Sequence, residues 1–423
     1  MAGICSVGAD AVYVGVVPTP AIAYLTRHYG YDAGVVISAS HNPSEYNGIK
    51  FFNGDGYKLS DLLEDEIEEV MRMNSAELPM PVGGEVGHIT YRYDAKDDYV
   101  RFACSLIDLD LSGLKIVVDT AEGASYYTAP KTLESLGAKP VVIHNHPDGV
   151  NINRACGSTH MEELKKRVVE EGADLGIAFD GDADRMLAVD ENGNMVDGDQ
   201  IMAICGLYMR NQGRLKKDTV VATVMSNLGF FRMGEKEGIN IVRTKVGDRY
   251  VLEYMLANGC NLGGEQSGHV IFLDENTTGD GLISALHLLE VIVKSGKKLS
   301  ELASVMRVLP QALVNARVSN IKKEYYMDNK VVADAVAELE ARFAGAGRVL
   351  IRPSGTEPLV RVMIEGDDQK FIEEEAKKLA EEEKRKAEEE KRKADEEKRK
   401  ADEAESRAGK AIERNYRLIV NIL

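Results

Sequence analysis

The chain has 423 residues, enough for about three domains of ordinary size, and 44% of them are apolar, which supplies several cores. Its 52 Lys plus Arg against 69 Asp plus Glu give a net charge of −17, which argues against a general nucleic-acid binder or a basic membrane-surface protein, so any anionic ligand must meet a local cationic pocket. Five scattered cysteines (Cys5, Cys104, Cys156, Cys205, Cys260) form no C-x-x-C pair, residues 1–8 lack a signal-peptide pattern, and no run approaches the ~20 apolar residues of a membrane span; a soluble protein of a reducing cytoplasm is expected.

In chain order, residues 2–7 read as the end of a helix leading into a strand over 11–17, as if the helix's first turns lay upstream, so a preceding segment is expected. Strand-like runs at 34–37, 115–119, 139–143, 174–179, 219–223 and 239–244 alternate with helix-period segments, the pattern of α/β domains on largely parallel sheets. Thr159, followed three residues on by Glu162, predicts a capping box for a helix starting near Met161. Breaks near 78–87, 191–198 and 309–311 predict four domains, 1–93, 94–194, 195–308 and 309–380, the first one short. Beyond Ala380 come three copies of an acid-acid-acid-Lys-Arg-Lys-Ala unit (381–387, 388–394, 395–401), with each acid ahead of a base in the order favoured for helical ion pairs. One Ala per heptad is too little for a coiled-coil seam, so 381–423 is expected to hold a solvated single helix about 30–35 Å long.

Four constellations carry chemistry. Ser38-Ala39-Ser40-His41-Asn42-Pro43, followed by Asn47-Gly48-Ile49-Lys50, puts a hydroxyl at the carboxyl end of a strand, where α/β sheets place ligands; a polar turn explains it as well, and the absence of G-x-S-x-G disfavours a serine hydrolase. Asp180-Gly181-Asp182-Ala183-Asp184-Arg185 crowds three carboxylates at alternate positions. Their repulsion is relieved by a hard divalent cation, and Mg²⁺ suits three carboxylates if a phosphate oxygen completes the shell. An EF-hand is excluded by Arg185, which stands where that loop needs Gly, and by strand-like flanks. Gly263-Gly264-Glu265-Gln266-Ser267-Gly268-His269 offers a carboxylate and a hydroxyl that can share vicinal sugar hydroxyls, though a ligand-free glycine turn is at least as plausible. Arg352-Pro353-Ser354-Gly355-Thr356-Glu357-Pro358, with Arg361 on the next strand, combines backbone N–H groups, hydroxyls and guanidinium groups suited to phosphate.

In this order and at these separations, the four segments resemble the active-site loops of the α-D-phosphohexomutase superfamily over roughly residues 1–380. Gly-Glu-Gln-Ser-Gly-His, with Asn151-Ile152-Asn153 and Cys156-Gly157-Ser158-Thr159-His160, resembles the phosphoglucosamine mutase branch. The resemblance implies three α/β mixed-sheet domains, a smaller α+β C-terminal domain, and a cytoplasmic isomerase of amino-sugar nucleotide biosynthesis. It would convert glucosamine 6-phosphate to glucosamine 1-phosphate through a bisphosphorylated sugar, with a glucosamine 1,6-bisphosphate-type activator.

By the same resemblance Ser40 is the phosphoserine and, with Asp180, Asp182 and Asp184, a Mg²⁺ ligand, while His41 lies in its loop. Lys50 is a general acid/base whose pKa burial beside cations is expected to lower. Arg185 supports the metal loop or phosphoryl oxygens. Glu265 and Ser267 contact sugar hydroxyls, and Gly247, Asp248 and Arg249 form a further substrate loop. Arg352, Ser354, Gly355, Thr356 and Arg361 bind the phosphate that is not reacting. A homodimer is one open assembly state. Members of the superfamily begin with further residues, including a strand followed by T-D-G-I-R-G that supplies an active-site arginine; neither motif nor arginine occurs here, and the tail after Ala380 is not a family feature. A phosphoglucomutase or phosphomannomutase, an inactive remnant that tethers a partner, and a calcium-binding module stay open as alternatives.

Overall fold

The structure is a computed structural model that describes residues 1–72, 78–317, 330–343, 345–353, 359–378 and 381; residues 382–423, with all but the first residue of the charged repeats, lie outside the described residues. The chain divides into two compact units, one of residues 1–307 and a second beginning at Val308.

The first unit opens with α1 (Ala2–Ser6), β1 (Ala11–Tyr13), α2 (Thr19–Tyr29), β2 (Ala33–Ser38), β3 (Gly48–Asn53), α3 (Asp61–Arg72) and β4 (Ile89–Tyr91). It continues through α4 (Ala95–Ser105), β5 (Ile116–Asp119), α5 (Thr128–Ser135), β6 (Val141–Ile143), α6 (Glu162–Glu171), β7 (Leu175–Phe179), β8 (Met186–Asp190) and β9 (Met195–Val196). The last section holds α7 (Gly198–Asn211), β10 (Thr219–Thr223), α8 (Leu228–Glu237), β11 (Asn240–Thr244), α9 (Asp248–Asn258), β12 (Leu262–Gly264), β13 (Val270–Phe272), α10 (Gly281–Ser295) and α11 (Leu299–Ala303).

Two sheets repeat one plan. The orders β6-β5-β7-β8-β9 and β11-β10-β12-β13 each put the first strand in the middle, with two parallel neighbours and an antiparallel strand beyond. Helices cover both faces, so β5, β7 and β10 are buried at every residue, which is why these strands read as near-continuous apolar runs. The first section differs: β1 pairs in parallel with β4, and β2 pairs antiparallel with β3. There β2 alternates, with Gly34 and Val36 packed under α2 while Ile37 stays 72% exposed and Ile49, its partner on β3, 59% exposed.

One hydrophobic core runs through this unit, joining Ala21 and Leu25 of α2, Tyr99 of α4, Ile116 of β5, Ile177 of β7, Met202 of α7, Val220 of β10 and Leu286 of α10. That shared core holds the three sections' loops in fixed register. The predicted capping box at Thr159 is not formed. Gly157–Thr159 is a 3₁₀ turn, Thr159 Oγ1 faces His160 Nδ1 at 3.1 Å, and α6 starts after Met161 without a side-chain cap. The capping box belongs instead to α7, where Asp197 accepts from the N–H of Gln200 and the Gln200 side chain accepts from Asp197 N–H.

The second unit has β14 (Gln311–Arg317), α12 (Lys330–Phe343), β15 (Arg348–Pro353) and β16 (Leu359–Glu365) in an antiparallel sheet of order β14-β16-β15, with its own core of Leu339, Phe343, Val349, Val360, Val362, Ile364 and Ile372. No described helix is long and apolar enough to cross a membrane.

Candidate active site

The carboxylate loop is the turn between β7 and β8, closed by the pair Phe179–Met186. Ala183 N–H donates to Asp180 O at 3.0 Å, and Ala183 takes φ 57°, a left-handed conformation that costs a side chain about 1 kcal/mol or more. The turn is buried, with Asp180, Asp182 and Asp184 at 0%, 1% and 3% exposure. It is held from three sides. Thr19, at the start of α2, donates N–H to Asp182 O (2.9 Å) and its hydroxyl to Asp182 Oδ2 (2.6 Å). Gly281 N–H, opening α10, donates to Ala183 O at 3.0 Å, and Met186 N–H donates to Gly268 O at 3.0 Å, tying in the Gly-Glu-Gln-Ser-Gly segment.

Ser40 follows β2 and also has a left-handed backbone, φ 53°. Such a conformation persists where surrounding bonds over-determine it. Ser40 N–H donates to Ser38 Oγ at 2.9 Å, and the Asn153 amide donates to both Ser40 O (2.7 Å) and Asn42 O (2.8 Å). Gly181 lies beneath: a Cβ there would stand 2.5 Å from Ser40 O. The hydroxyl-bearing loop therefore rides on the backbone between Asp180 and Asp182.

Lys50, on β3 beside β2, donates to Asp182 Oδ2 at 2.6 Å and Asp184 Oδ2 at 3.0 Å. Burial opposes its charge, but Asp184 and Asp182 outweigh burial and raise its pKa, contrary to the lowering expected from sequence; its nearest charges are anions, not cations. Burial, then the charges of Asp184 and Asp182, push Asp180 well above the usual carboxylate range. Asp184 is held well below it despite burial, by His269 and Lys50. The Gly279 N–H lies 3.1 Å from His269 Nε2, and Nδ1 faces Asp184 Oδ1 at 3.6 Å. His41 is shifted down by burial and by Arg185.

Three carboxylate oxygens, Asp180 Oδ2, Asp182 Oδ1 and Asp184 Oδ1, are buried without a hydrogen-bond partner, and one oxygen from each residue lies within 4.8 Å of the others. Orphaned acceptors in this geometry fit a hard divalent cation that takes oxygen ligands.

The remaining residues of the first unit sort unevenly. Glu265 Oε1 accepts Gly247 N–H at 3.0 Å, bringing two expected substrate-binding positions together; Gly247, at φ 126°, precedes α9. Asp248 is occupied by Lys58 and faces His269 Nε2 at 3.6 Å; burial opposes its ionisation, but His269 and Lys58 hold its pKa at about 2. Arg249 is paired with Asp61 and with Glu253 (2.9 Å), and Ser267 is exposed at its turn. Arg185 is partly buried, its N–H donating to Asp180 Oδ1 at 3.1 Å.

In the second unit Arg352 and Arg361 are directly opposite on β15 and β16. Two guanidinium groups on neighbouring strands are side chains of the type that recognises phosphate. Ser354, Gly355 and Thr356 lie outside the described residues.

Models of the phosphoglucomutase/phosphomannomutase family match the chain in order: α/β/α domain I over residues 1–77, domain II over 97–193, domain III over 197–309 and the C-terminal domain over 313–382. The chain belongs to this family. It is 62% identical over 379 residues to a phosphoglucosamine mutase of Acetivibrio thermocellus, covering 90% of this chain and 84% of that protein. Among solved structures, a phosphoglucomutase/phosphomannomutase family protein of Burkholderia thailandensis superposes with a TM-score of 0.73 at 24% identity, covering 90% of this chain and 85% of that one. An Aspergillus fumigatus N-acetylphosphoglucosamine mutase, solved in complex with GlcNAc-6P and magnesium, has a TM-score of 0.63 at 17% identity, covering 86% and 91%. The superfamily resemblance and the α/β multi-domain class read from sequence hold.

In this member of the family, sequence reasoning passed over four residues that build the site: Thr19, Lys58, Asn153 and His269. Asn153 and His269 stood inside motifs already named, but the role of Asn153 needed the fold, which carries it to Ser40, 113 positions away. His269 is 3% exposed among carboxylates, a burial that sequence alone does not reveal.

Proposed function

We propose that this chain interconverts glucosamine 6-phosphate and glucosamine 1-phosphate, with Ser40 as the phosphoryl carrier and a bisphosphorylated sugar as intermediate. The observation that carries the reading is the seating of Ser40 on Gly181, which sets a hydroxyl loop against three buried acids with orphaned oxygens. Phosphate esters react very slowly in water, so the protein's contribution is positioning and charge.

Asp180, Asp182 and Asp184 would hold Mg²⁺, which supplies positive charge beside the transferring phosphoryl group. Thr19 and Lys50 orient Asp182, and the Asn153 amide fixes the height of the Ser40 loop. Lys50 keeps its proton between two carboxylates and serves as a donor to a sugar oxygen. His41 and Arg185 line the same loops. Glu265, oriented by Gly247, and Ser267 take sugar hydroxyls, with Asp248 and Arg249 in the adjoining loop; Arg352 and Arg361, with Ser354, Gly355 and Thr356, take the phosphate that is not reacting. The substrate is a small amino-sugar phosphate, and five free thiols suit a cytoplasmic setting.

The test is a two-part assay. Incubation with glucosamine 1,6-bisphosphate and Mg²⁺ should phosphorylate Ser40, glucosamine 6-phosphate should discharge it, and a coupled assay should detect glucosamine 1-phosphate. Ser40→Ala should lose all three. Turnover retained in Ser40→Ala, or preference for glucose or mannose phosphates over the amino sugar, overturns the proposal.

A further inference from the structure

Among the described residues, two groups of side chains bring three metal-ligating atoms together. One is the acid triad. The other is Asp119, His144 and Cys156, whose donor atoms also lie within 4.8 Å of one another. We propose that these three residues form a second metal site, for a borderline divalent cation of the zinc type. The second site is independent of the mutase reading.

The position suits a ligand. Asp119 ends β5 and His144 directly follows β6, so two donors come from the carboxyl ends of adjacent parallel strands, and Cys156 arrives on the loop before the 3₁₀ turn Gly157–Thr159. Asp119 and Cys156 are 0% exposed, and Cys156 is a free thiol. The carboxylate is already oriented: Ala121 N–H donates to Oδ1 at 2.8 Å and Gly157 N–H to Oδ2 at 2.9 Å, leaving a second lone pair on each oxygen.

The histidine is set the way metal-bound imidazoles are. Its Nε2 meets Glu163 Oε2 at 3.1 Å, an outer carboxylate of the kind that orients a metal-bound ring, and a cation that displaced the inner proton would meet the Nδ1 lone pair. Nδ1 is buried and faces Asp119 Oδ2 at 3.0 Å. An imidazole, a carboxylate and a thiol thus converge on one point. A protonated His144, held up at about 8 by Asp119, is the competing resolution, but it leaves the thiol without a role. Burial pushes that thiol up to about 12, and a cation that takes thiolate would reverse this by displacing its proton.

The donor set decides the metal. Imidazole, thiolate and one carboxylate match the tetrahedral preference of Zn²⁺, with a fourth position left for water, whereas Mg²⁺ demands oxygen ligands in octahedral geometry. The two clusters would therefore sort two cations by chemistry.

Cobalt(II) reads the site directly, because a thiolate ligand gives a near-ultraviolet charge-transfer band and tetrahedral geometry gives strong visible bands. The full chain, stripped with chelator and titrated with Co²⁺ in excess Mg²⁺, should develop both; Zn²⁺ should bleach them. Cys156→Ser should lose the charge-transfer band, while Cys205→Ser, which removes another buried thiol, should keep it. Glu163→Gln should weaken Co²⁺ binding by about 10- to 100-fold. If the unmodified chain shows no charge-transfer band at millimolar Co²⁺, the proposal fails whether or not any variant folds. A band that survives in Cys156→Ser fails it as well.

Discussion

Replacing Gly181 by alanine tests the contact on which the active-site reading stands. The added methyl carbon would lie 2.5 Å from Ser40 O and 2.5 Å from the Ile152 Cδ1. Ordinary contact begins at 3.4 Å, so each partner must retreat by about 0.9 Å. Ile152 can turn about its side-chain torsions; Ser40 O is backbone and moves only with its loop. A displacement near 1 Å at a reacting group costs about 100-fold in rate, or about 2.7 kcal/mol of transition-state stabilisation. Overpacking a buried turn costs about 1–3 kcal/mol of stability, and in a unit of this size each kcal/mol lowers Tm by about 2–4 °C. The variant should therefore stay folded, with kcat down about 100-fold and Ser40 phosphorylation by the bisphosphate slowed in parallel. Removing the second clash with Gly181→Ala/Ile152→Ala should recover stability but not kcat. Gly113→Ala, where a Cβ meets nothing within 4 Å, is the neutral control. Wild-type kcat in folded Gly181→Ala would refute the claim that the Ser40 loop is positioned by this backbone contact.

Three further outcomes follow from the same geometry. Asn153→Ala removes the amide from two carbonyls and should lower kcat about tenfold or more at nearly unchanged KM, and Asn153→Asp should not restore it, since a carboxylate cannot donate to those oxygens; steady-state kinetics of the pair decides. Asp182→Asn should raise the Mg²⁺ concentration for half-maximal activity by about tenfold or more, read from a metal titration; an unchanged midpoint removes Asp182 as a ligand. Asp280 is fully buried at the start of α10, where Tyr99 and Asn276 donate to it, and burial pushes its pKa up from 3.8 to about 6. The folded state thus binds its proton more tightly than the unfolded chain, so its contribution to stability is greatest below about pH 4 and falls by about 3 kcal/mol as pH rises through 6. Thermal unfolding of the wild type relative to Asp280→Asn, followed from pH 4.5 to 7.5, should show that slope and reverses the assignment if stability rises instead.

Much of this was legible in the residue order. Near-continuous apolar runs such as 175–179 and 219–223 mark strands buried on both faces, because two covered faces leave no polar side to alternate with. The Asp-Gly-Asp-Ala-Asp-Arg turn was recognisable because carboxylates at alternate positions of one short loop are close whatever the fold. The antiparallel strands around Arg352 and Arg361 were likewise local.

What the sequence left open depends on distance and burial. The capping box fell on the wrong helix because Thr159 was drawn into a 3₁₀ turn whose Gly157 N–H serves Asp119, a contact between residues 38 apart. Lys50 was read with the wrong sign because burial and the sign of nearby charge are set by packing: β3 carries its ammonium to two acids more than 130 residues away. The same packing gathers Asp119, His144 and Cys156, which no spacing rule joins. Residue types and local periodicity follow from covalent order, whereas the charge a side chain meets is fixed only when the core that joins α2, β5, α7 and α10 closes.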